Sequence, residues 1–419
     1  MIRTFNVNEM PYPYLPPEDE FESMRVQLPN RIFDPKIGAS LLNRYLDQHV
    51  ACDELGINIM VNEHHQTATN LVPATPVTLG MLARETKNAR LLILGSPIAL
   101  RRDPIRLAEE MAIVDNISYG RLECGFVRGV PFEFAAANSN PVKASERMWE
   151  AHDLILKAFT THDGPFNWEG KYHRYRQVNI WPRPYQEPHP PIWVTCQAPQ
   201  TAFEIGKRGH IMAQLLGGIA GTKATFDAYR DGAVAAGRYS APEEVPLDRF
   251  TMACMVSIGD TDEKGLAGAH DVMWYLRNQK VAPQWANPPG YLSAEQTAMV
   301  MKIMARGGNP AKEIIGIDLF GADGGPSTDR LMEHGILAAG NPDTVFDQVK
   351  RFYEEVGGFG NMIVMFAAGP MSNEDVITRI ERWAKEVQPR VNELNEAVAG
   401  APRSARDASS VSVPVGVDH

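Results

Sequence analysis

An alternation of short apolar runs and helical segments predicts an α/β protein, and more specifically a (β/α)₈ TIM barrel. Eight runs rich in Val, Ile, Leu and Met have the length of buried parallel strands, and segments with helical spacing separate them. The chain has 419 residues, of which 44% are hydrophobic and 22% charged, and this suits one large domain or two medium ones. A (β/α)₈ barrel is built from eight strand–helix units, and a chain of this length leaves room for insertions.

The predicted strands recur along the whole chain. They are residues 3–8, 57–63, 91–98, 122–127, 192–196, 211–216, 250–258 and 361–366. The helices predicted between them include residues 35–55, 74–89 and 143–159. A further helix begins at Asp103-Pro104, because Asp is a favoured N-cap and Pro suits the first helical position.

Two insertions are expected within a single barrel domain that covers residues 1–398. After the fourth helix, aromatic, Gly and Pro residues between 166 and 186 indicate a β-hairpin. After the seventh strand, a Gly- and Pro-rich segment at about 278–335 is predicted to form a lid, with a passive surface loop as the alternative. Residues 399–419 lack periodicity and are predicted to be a disordered tail.

Composition narrows the class of partner. A formal charge of −10 argues against nucleic acid or an anionic membrane, since binding phosphate groups requires a basic surface. The four cysteines lie far apart and form no metal-binding pair. The N-terminus lacks the pattern of a secretory signal, and no apolar run is long enough to cross a membrane. We therefore expect a soluble, cytoplasmic protein.

The second predicted strand ends in Glu63-His64-His65. In α/β barrels the carboxyl ends of the strands carry the chemistry, and histidine titrates near neutrality, which suits it to proton transfer. The alternative is a pair of surface histidines that cap a strand. Adjacent residues of a strand point to opposite faces, and the order is not that of a zinc protease motif, so no metal site is predicted.

The third predicted strand contains Ser96-Pro97 within an apolar run. Proline cannot donate to the hydrogen-bond ladder of a buried strand. A bulge or a cis Ser96-Pro97 peptide would accommodate it and expose backbone to a flat ligand. The alternative is that the strand ends at Leu94.

Two segments predict an anion site. Arg128 follows the fourth strand, next to Gly129, and a guanidinium there suits a phosphate or carboxylate. Residues 195–201 run from a strand into a helix, whose first amides attract anions. A structural ion pair and an ordinary helix start are the alternatives. Together with the histidine pair, these two segments imply a phosphorylated cofactor or substrate. The sequence contains neither a Rossmann nor a P-loop nucleotide-binding motif.

Eight motifs in a fixed order resemble one known family. They are Ala51-Cys52-Asp53-Glu54-Leu55-Gly56, Asn62-Glu63-His64-His65, Asp103-Pro104-Ile105-Arg106, Asp115-Asn116-Ile117-Ser118-Tyr119-Gly120-Arg121-Leu122, Gly125-Phe126-Val127-Arg128-Gly129, Ser145-Glu146-Arg147-Met148-Trp149-Glu150, Pro190-Pro191-Ile192-Trp193-Val194 and Gly340-Asn341-Pro342-Asp343-Thr344-Val345. Nearly the whole chain, to about residue 390, resembles the bacterial luciferase-like flavin-dependent oxidoreductases, a family of (β/α)₈ barrels with a late lid.

The resemblance implies roles for individual residues, carried over by position. His64 matches an acid–base histidine near the flavin, and Arg128 matches a phosphate-binding arginine. The segment that cradles the phosphate would contain Gln197, Ala198 and Thr201, and the strand bulge beneath the isoalloxazine ring would contain Ser96 and Pro97. The chain departs from the luciferases at Val127, where they have a reactive cysteine, and at Gln197, where they have a carboxylate. Light emission from an aldehyde is therefore disfavoured.

The function that the resemblance implies is a two-component flavin-dependent monooxygenase. A separate NAD(P)H-dependent flavin reductase would supply reduced FMN, and O₂ would form a C4a-(hydro)peroxyflavin that oxygenates a small organic substrate by hydroxylation or Baeyer–Villiger chemistry. The alternative is a dehydrogenase or reductase that uses a deazaflavin coenzyme. A third hypothesis is a flavin-binding protein without catalysis, and intact His64 and Arg128 count against it. Family members commonly form dimers, so a homodimer is expected.

Overall fold

Parallel strands form the centre of the molecule. The computed structural model describes residues 1–17, 20–21, 25–278, 293, 295, 298 and 327–398. In these residues the strands are β1 Arg3–Asn8, β2 Asn58–Val61, β3 Leu91–Pro97, β4 Leu122–Val127, β5 Phe166–Glu169, β6 Arg174–Val178, β7 Ile192–Cys196, β8 Ile211–Gln214, β9 Phe250–Ile258, β10 Leu337–Gly340 and β11 Asn361–Ala367. The predicted lid falls mostly, and the predicted tail wholly, outside the described residues, so both stay predictions.

Helices alternate with the strands. They are α1 Pro35–Glu54, α2 Thr75–Glu85, α3 Pro104–Ile117, α4 Pro131–Ala136, α5 Ala144–Thr160, α6 Pro199–Arg208, α7 Gly218–Ala235, α8 Asp262–Val272, α9 Trp274–Arg277, α10 Thr328–Glu333, α11 Pro342–Val356, α12 Asn373–Arg382 and α13 Gln388–Val398. The predicted start of α3 is confirmed, because the Asp103 carboxylate accepts a hydrogen bond from the Arg106 N–H at 3.0 Å.

Eight strands close into a barrel. Around it the order is β1, β2, β3, β4, β7, β8, β9 and β11, and β11 pairs with β1 to complete the circle. These are the eight strands that the sequence predicts, so the fold class is confirmed. The sequence analysis missed β10, which pairs with the end of β9. Its four residues, Leu-Ala-Ala-Gly, are too few and too small to stand out as a strand.

Several predicted boundaries were wrong by a few residues. Strand β2 ends at Val61 and not at Glu63. Helix α2 ends at Glu85 and not at residue 89. The buried Asp53 carboxylate explains this second difference, because it accepts backbone hydrogen bonds from Lys87, Asn88 and Ala89 at 2.5–2.8 Å. These bonds hold the segment in a loop that leads into β3.

Strand β3 continues through Ser96 and Pro97, so the prediction that it could end at Leu94 was wrong. The pairing with β4 shifts register between Ile93 and Ser96, and this is the predicted bulge. The cis peptide is Leu94–Gly95 and not Ser96–Pro97. The irregular backbone therefore begins two residues earlier than the sequence suggested.

The segment predicted as a hairpin contains the antiparallel strands β5 and β6. It is anchored on α5, because the Glu150 carboxylate accepts hydrogen bonds from the backbone N–H groups of Tyr172 and His173 at 2.8–3.1 Å. The Tyr175 hydroxyl also donates to the Asp103 carboxylate at 2.8 Å. The hairpin thus packs beside the starts of α3 and α5.

A buried carboxylate ties strands together inside the barrel. Glu123 of β4 is fully buried and accepts hydrogen bonds from the guanidinium groups of Arg3 and Arg90 at 2.7–2.8 Å. Its other oxygen accepts from the Trp193 indole at 2.6 Å. These residues lie near the amino ends of their strands, where barrel residues serve stability. The active site is therefore expected at the opposite rim, which is formed by the carboxyl ends of the strands.

No helix in the described part of the chain has both the length and the apolar character needed to span a membrane.

The buried imidazole of His49 predicts that acid destabilises the fold. Both ring nitrogens lack a hydrogen-bond partner among the described residues, and burial lowers the pKa of His49 to about 4. A histidine that must stay neutral in the folded protein stabilises it fully above the unfolded-state pKa of 6.5. This contribution to the free energy of unfolding is lost as the pH falls from 6.5 towards 4. Integrated over that window, the loss is about 3 kcal/mol.

Urea unfolding at pH 7 and pH 5 measures this effect, with His49→Leu as the comparison. We expect the free energy of unfolding of the wild type to fall by about 2 kcal/mol more than that of the variant between these two pH values. Buried His152 and His210, whose pKa values burial also lowers, stay in both proteins and so cancel in the comparison. Equal acid sensitivity in the two proteins would contradict the assignment to His49.

Candidate active site

The residues predicted for the site lie at the carboxyl ends of four neighbouring strands. Strand β2 pairs with β3, β3 with β4, and β4 with β7. Parallel register places Pro97 opposite Val127, and Phe126 opposite Val194. Three steps between strands, each about 4.8 Å, separate the β2 tip from the β7 tip by roughly 14 Å. This rim can therefore accommodate a ligand with a ring at one end and a phosphate at the other.

His64 is held by a buried carboxylate. Its Nδ1 lies 2.9 Å from Oε1 of Glu133, which is 2% exposed, and the backbone N–H of His65 donates to the same oxygen at 3.3 Å. A carboxylate beside Nδ1 favours the tautomer with the proton on that nitrogen. Nε2 of His64 is then the nitrogen that can accept a proton from a bound molecule.

Glu63 has a structural role at the same strand tip. One guanidinium nitrogen of Arg101 donates to both of its oxygens, at 3.0 and 2.8 Å, and Thr75 and Ser96 donate to it at 3.1 and 3.3 Å. Burial raises the pKa of Glu63, but the hydrogen bond from His65 and the charge of Arg101 outweigh this, and its pKa lies below the usual value. Glu63 stays ionised and holds these four side chains in place.

The opposite end of the rim carries the predicted anion site. Arg128 is exposed, and its guanidinium makes no hydrogen bond or ion pair with the described residues, so the alternative of a structural ion pair finds no support there. Because Phe126 pairs with Val194, Arg128 follows β4 at the level of Cys196 at the end of β7. Gln197 is exposed, and its amide donates to the carbonyl of Leu215 at 2.8 Å.

Helix α6 follows β7, the strand that pairs with β4, and Arg128 comes directly after β4. Ala198 is its N-cap and offers no side-chain cap. Pro199 has no N–H, and the backbone N–H of Thr201 already donates to the Ala198 carbonyl at 3.0 Å, so Gln200 is the first-turn residue whose N–H makes no hydrogen bond with the described residues. Such a helix start, together with a guanidinium, favours an anion. The structure thus brings Arg128 and the segment from Gln197 to Thr201 together at neighbouring strand ends.

The sequence analysis missed two residues of this rim. Glu133 lies in α4, a six-residue helix that was not predicted. Arg147 lies in the first turn of α5, where one guanidinium nitrogen donates to the carbonyl of Arg101 at 3.1 Å. Its Nε is buried and has no partner among the described residues. The only sequence signals were a Pro-Phe-Glu helix start after Gly129 and the motif Ser145-Glu146-Arg147, and neither specifies a role.

The donor chemistry fits an organic phosphate. Arg147 offers a buried N–H that needs an acceptor, Arg128 offers a second guanidinium, and the start of α6 offers the backbone N–H of Gln200. A phosphate dianion accepts hydrogen bonds from each of these groups. His64 lies on the other side of the bulged strand β3, with Ser96 buried between the two ends.

Comparisons with known proteins point to one family. A family model described as luciferase-like monooxygenase matches residues 26–358. An uncharacterised protein of Sinorhizobium fredii is 30% identical over 190 residues, which are 43% of this chain and 55% of that protein. The oxygenase component of a flavin-dependent trigonelline monooxygenase from Acinetobacter baylyi is 29% identical over 175 residues, 41% of this chain and 48% of that protein. Each alignment covers about half of the relative.

Solved structures share the fold over nearly their full length. The oxygenating constituent of 3,6-diketocamphane monooxygenase from Pseudomonas putida, in complex with FMN, superposes with a TM-score of 0.67 at 19% identity and covers 93% of this chain and 99% of that one. The coenzyme F420-dependent tetrahydromethanopterin reductase from Methanopyrus kandleri gives a TM-score of 0.57 at 19% identity, with the same coverage. At these identities the likeness shows the (β/α)₈ fold alone.

Proposed function

Because the chain belongs to the luciferase-like monooxygenase family, we propose that it is the oxygenase of a two-component flavin-dependent monooxygenase. A separate NAD(P)H-dependent reductase would supply reduced FMN, and a small organic substrate would be oxygenated with O₂. The family assignment rests on the match over residues 26–358. A relative that is itself the oxygenase component of a flavin-dependent monooxygenase supports the two-component arrangement.

The groups on the rim support FMN as the cofactor. Arg147, Arg128 and the first turn of α6 would hold the phosphate, and the bulge at Ser96 and Pro97 would lie under the ring system. When bound in its reduced state, the flavin supplies the two electrons that activate O₂. Riboflavin, which lacks the phosphate, would leave the buried Nε of Arg147 without an acceptor.

The protein's own contribution to the chemistry is a positioned base. The Glu133 carboxylate fixes His64 with Nε2 available, so His64 can take a proton from the oxygen-derived group or return it to that group. Glu63 cannot share this task, because Arg101, Thr75, Ser96 and His65 occupy its oxygens. The observation that carries the proposal is this single oriented imidazole on the same rim as the anion site.

Binding of chemically reduced FMN under anaerobic conditions tests the proposal. We expect reduced FMN to bind, and the bound flavin to be reoxidised by O₂ at a rate different from that of free flavin, with the difference lost in His64→Ala. Riboflavin, which lacks the phosphate, is the matched ligand and should bind more weakly. Binding of a deazaflavin coenzyme without binding of reduced FMN would contradict the monooxygenase and support the dehydrogenase alternative, for which an F420-dependent structure provides the fold precedent.

A further inference from the structure

Arg101 lies in the loop between β3 and α3, and β3 is the strand between the two ends of the rim. Its side chain reaches the β2 tip, where one guanidinium nitrogen donates to both oxygens of Glu63, at 3.0 and 2.8 Å. Its backbone carbonyl accepts a hydrogen bond from the guanidinium of Arg147 at 3.1 Å. One residue therefore contacts both the strand tip that carries His64 and the arginine assigned to the phosphate.

Glu63 depends on Arg101 to balance its charge. The side chain of Glu63 is fully buried, and a buried carboxylate without a cation nearby is strongly destabilising. Burial raises the pKa of Glu63, but the hydrogen bond from His65 and the charge of Arg101 keep it below its usual value. Replacing Arg101 by a neutral residue therefore leaves a buried negative charge, and we expect Glu63 to move or to take up a proton.

Three further contacts lead from Glu63 to His64. Nε2 of His65 lies 2.9 Å from Oε1 of Glu63. The backbone N–H of His65 donates to Oε1 of Glu133 at 3.3 Å, and Nδ1 of His64 lies 2.9 Å from that same oxygen. A shift of Glu63 that displaces His65 therefore changes the carboxylate that fixes the tautomer of His64.

We propose that Arg101 is a positioning residue that links occupancy of the phosphate site to the orientation of His64. A phosphate bound at Nε of Arg147 fixes that guanidinium, and with it the hydrogen bond to the carbonyl of Arg101. The side chain of Arg101 transmits this restraint to Glu63, and the contacts of Glu63 extend it to His64. The role of Arg147 as a phosphate ligand rests on the proposed function, whereas the effect of Arg101 on His64 does not.

Replacing the side chain of Arg101 cuts one half of this link only, because any residue keeps the backbone carbonyl that Arg147 contacts. Arg101→Met should change the affinity for reduced FMN less than about threefold, but should lower oxygen-dependent turnover at saturating flavin by about ten- to a hundredfold. Arg101→Lys keeps a cation for Glu63 and should restore part of the turnover. Arg102→Met is the matched control, because Arg102 is exposed and makes no hydrogen bond or ion pair with the described residues. It should leave both quantities unchanged.

Riboflavin tests whether the phosphate takes part. At saturating concentrations of each reduced flavin, the wild type should turn over faster with FMN than with riboflavin, because only FMN fills the phosphate site. In Arg101→Met the two saturated rates should converge, although FMN still binds more tightly than riboflavin. Equal saturated rates in the wild type, or an unchanged ratio of the two rates in Arg101→Met, would overturn the link between the phosphate site and His64.

NMR of the flavin-free protein, labelled with ¹⁵N-histidine, separates this inference from the proposed function. The signals of His64, assigned with His64→Gln, report which ring nitrogen carries the proton. We expect the proton on Nδ1 in the wild type and in Arg102→Met, and a mixture of tautomers in Arg101→Met with an unchanged circular dichroism spectrum.

Unchanged His64 signals in Arg101→Met would contradict the positioning role. Arg101→Lys takes the place of a Met variant that does not fold, and should show a smaller change in the same direction. If Arg101→Met alters the His64 signals and reduced FMN does not bind to the wild type, the proposed function fails while the positioning of His64 by Arg101 stands.

Discussion

His64→Ala is expected to lower oxygen-dependent turnover by two to four orders of magnitude, the range that a positioned acid–base group contributes. The affinity for reduced FMN should change less than threefold, since the phosphate contacts lie on other strands. Glu133→Gln keeps the size of the side chain and removes its charge. It should cause a smaller loss, about ten- to a hundredfold, because the imidazole stays in place while its tautomer is less well defined. Reoxidation of bound flavin by rapid mixing measures both variants.

The neighbouring histidine offers a matched control. His65→Gln removes an imidazole one residue away and keeps a donor for Glu63, which His65 contacts at 2.9 Å. Turnover in this variant should stay within a few fold of the wild type. If His65→Gln were as impaired as His64→Ala, the loss would reflect disruption of the loop, and a specific role for His64 would be wrong.

Sequence pattern was sufficient for the barrel because its signals are local. Each barrel strand is a short apolar run, and the order of eight such runs determines which strand tips are neighbours. His64, Ser96, Arg128 and Gln197 could therefore be assigned to one rim before any coordinates were known. Strand β10 was not predicted, because its sequence Leu-Ala-Ala-Gly is not a recognisable apolar run.

The partners of the site residues could not be predicted in this way. Glu133 and His64 are 69 residues apart, and their contact depends on how the loop after β4 folds back over the rim. The ion pair between Glu63 and Arg101 likewise depends on a side chain that crosses from one loop to the next. A carboxylate at a strand tip looks the same in sequence whether it is a base or a structural anchor. Only its contacts show that Glu63 is the anchor.

Arg147→Met is expected to reduce the affinity for reduced FMN about a hundredfold, and Arg128→Met about tenfold. The difference follows from burial. Nε of Arg147 is shielded from water, so its bond to a phosphate is little screened, and a buried charge interaction of this kind is worth several times an exposed one. Arg128 is exposed, where solvent and salt weaken its attraction for an anion.

Titration with FMN and with riboflavin isolates the phosphate from the ring. In the wild type FMN should bind much more tightly, and in Arg147→Met the two affinities should converge because riboflavin never used that contact. Arg183→Met removes an exposed guanidinium that pairs with Glu187 at 3.1 Å, outside this rim, and should leave both affinities unchanged. If Arg147→Met weakened riboflavin as much as FMN, the residue would act on the ring or on the fold, and the phosphate would need other ligands.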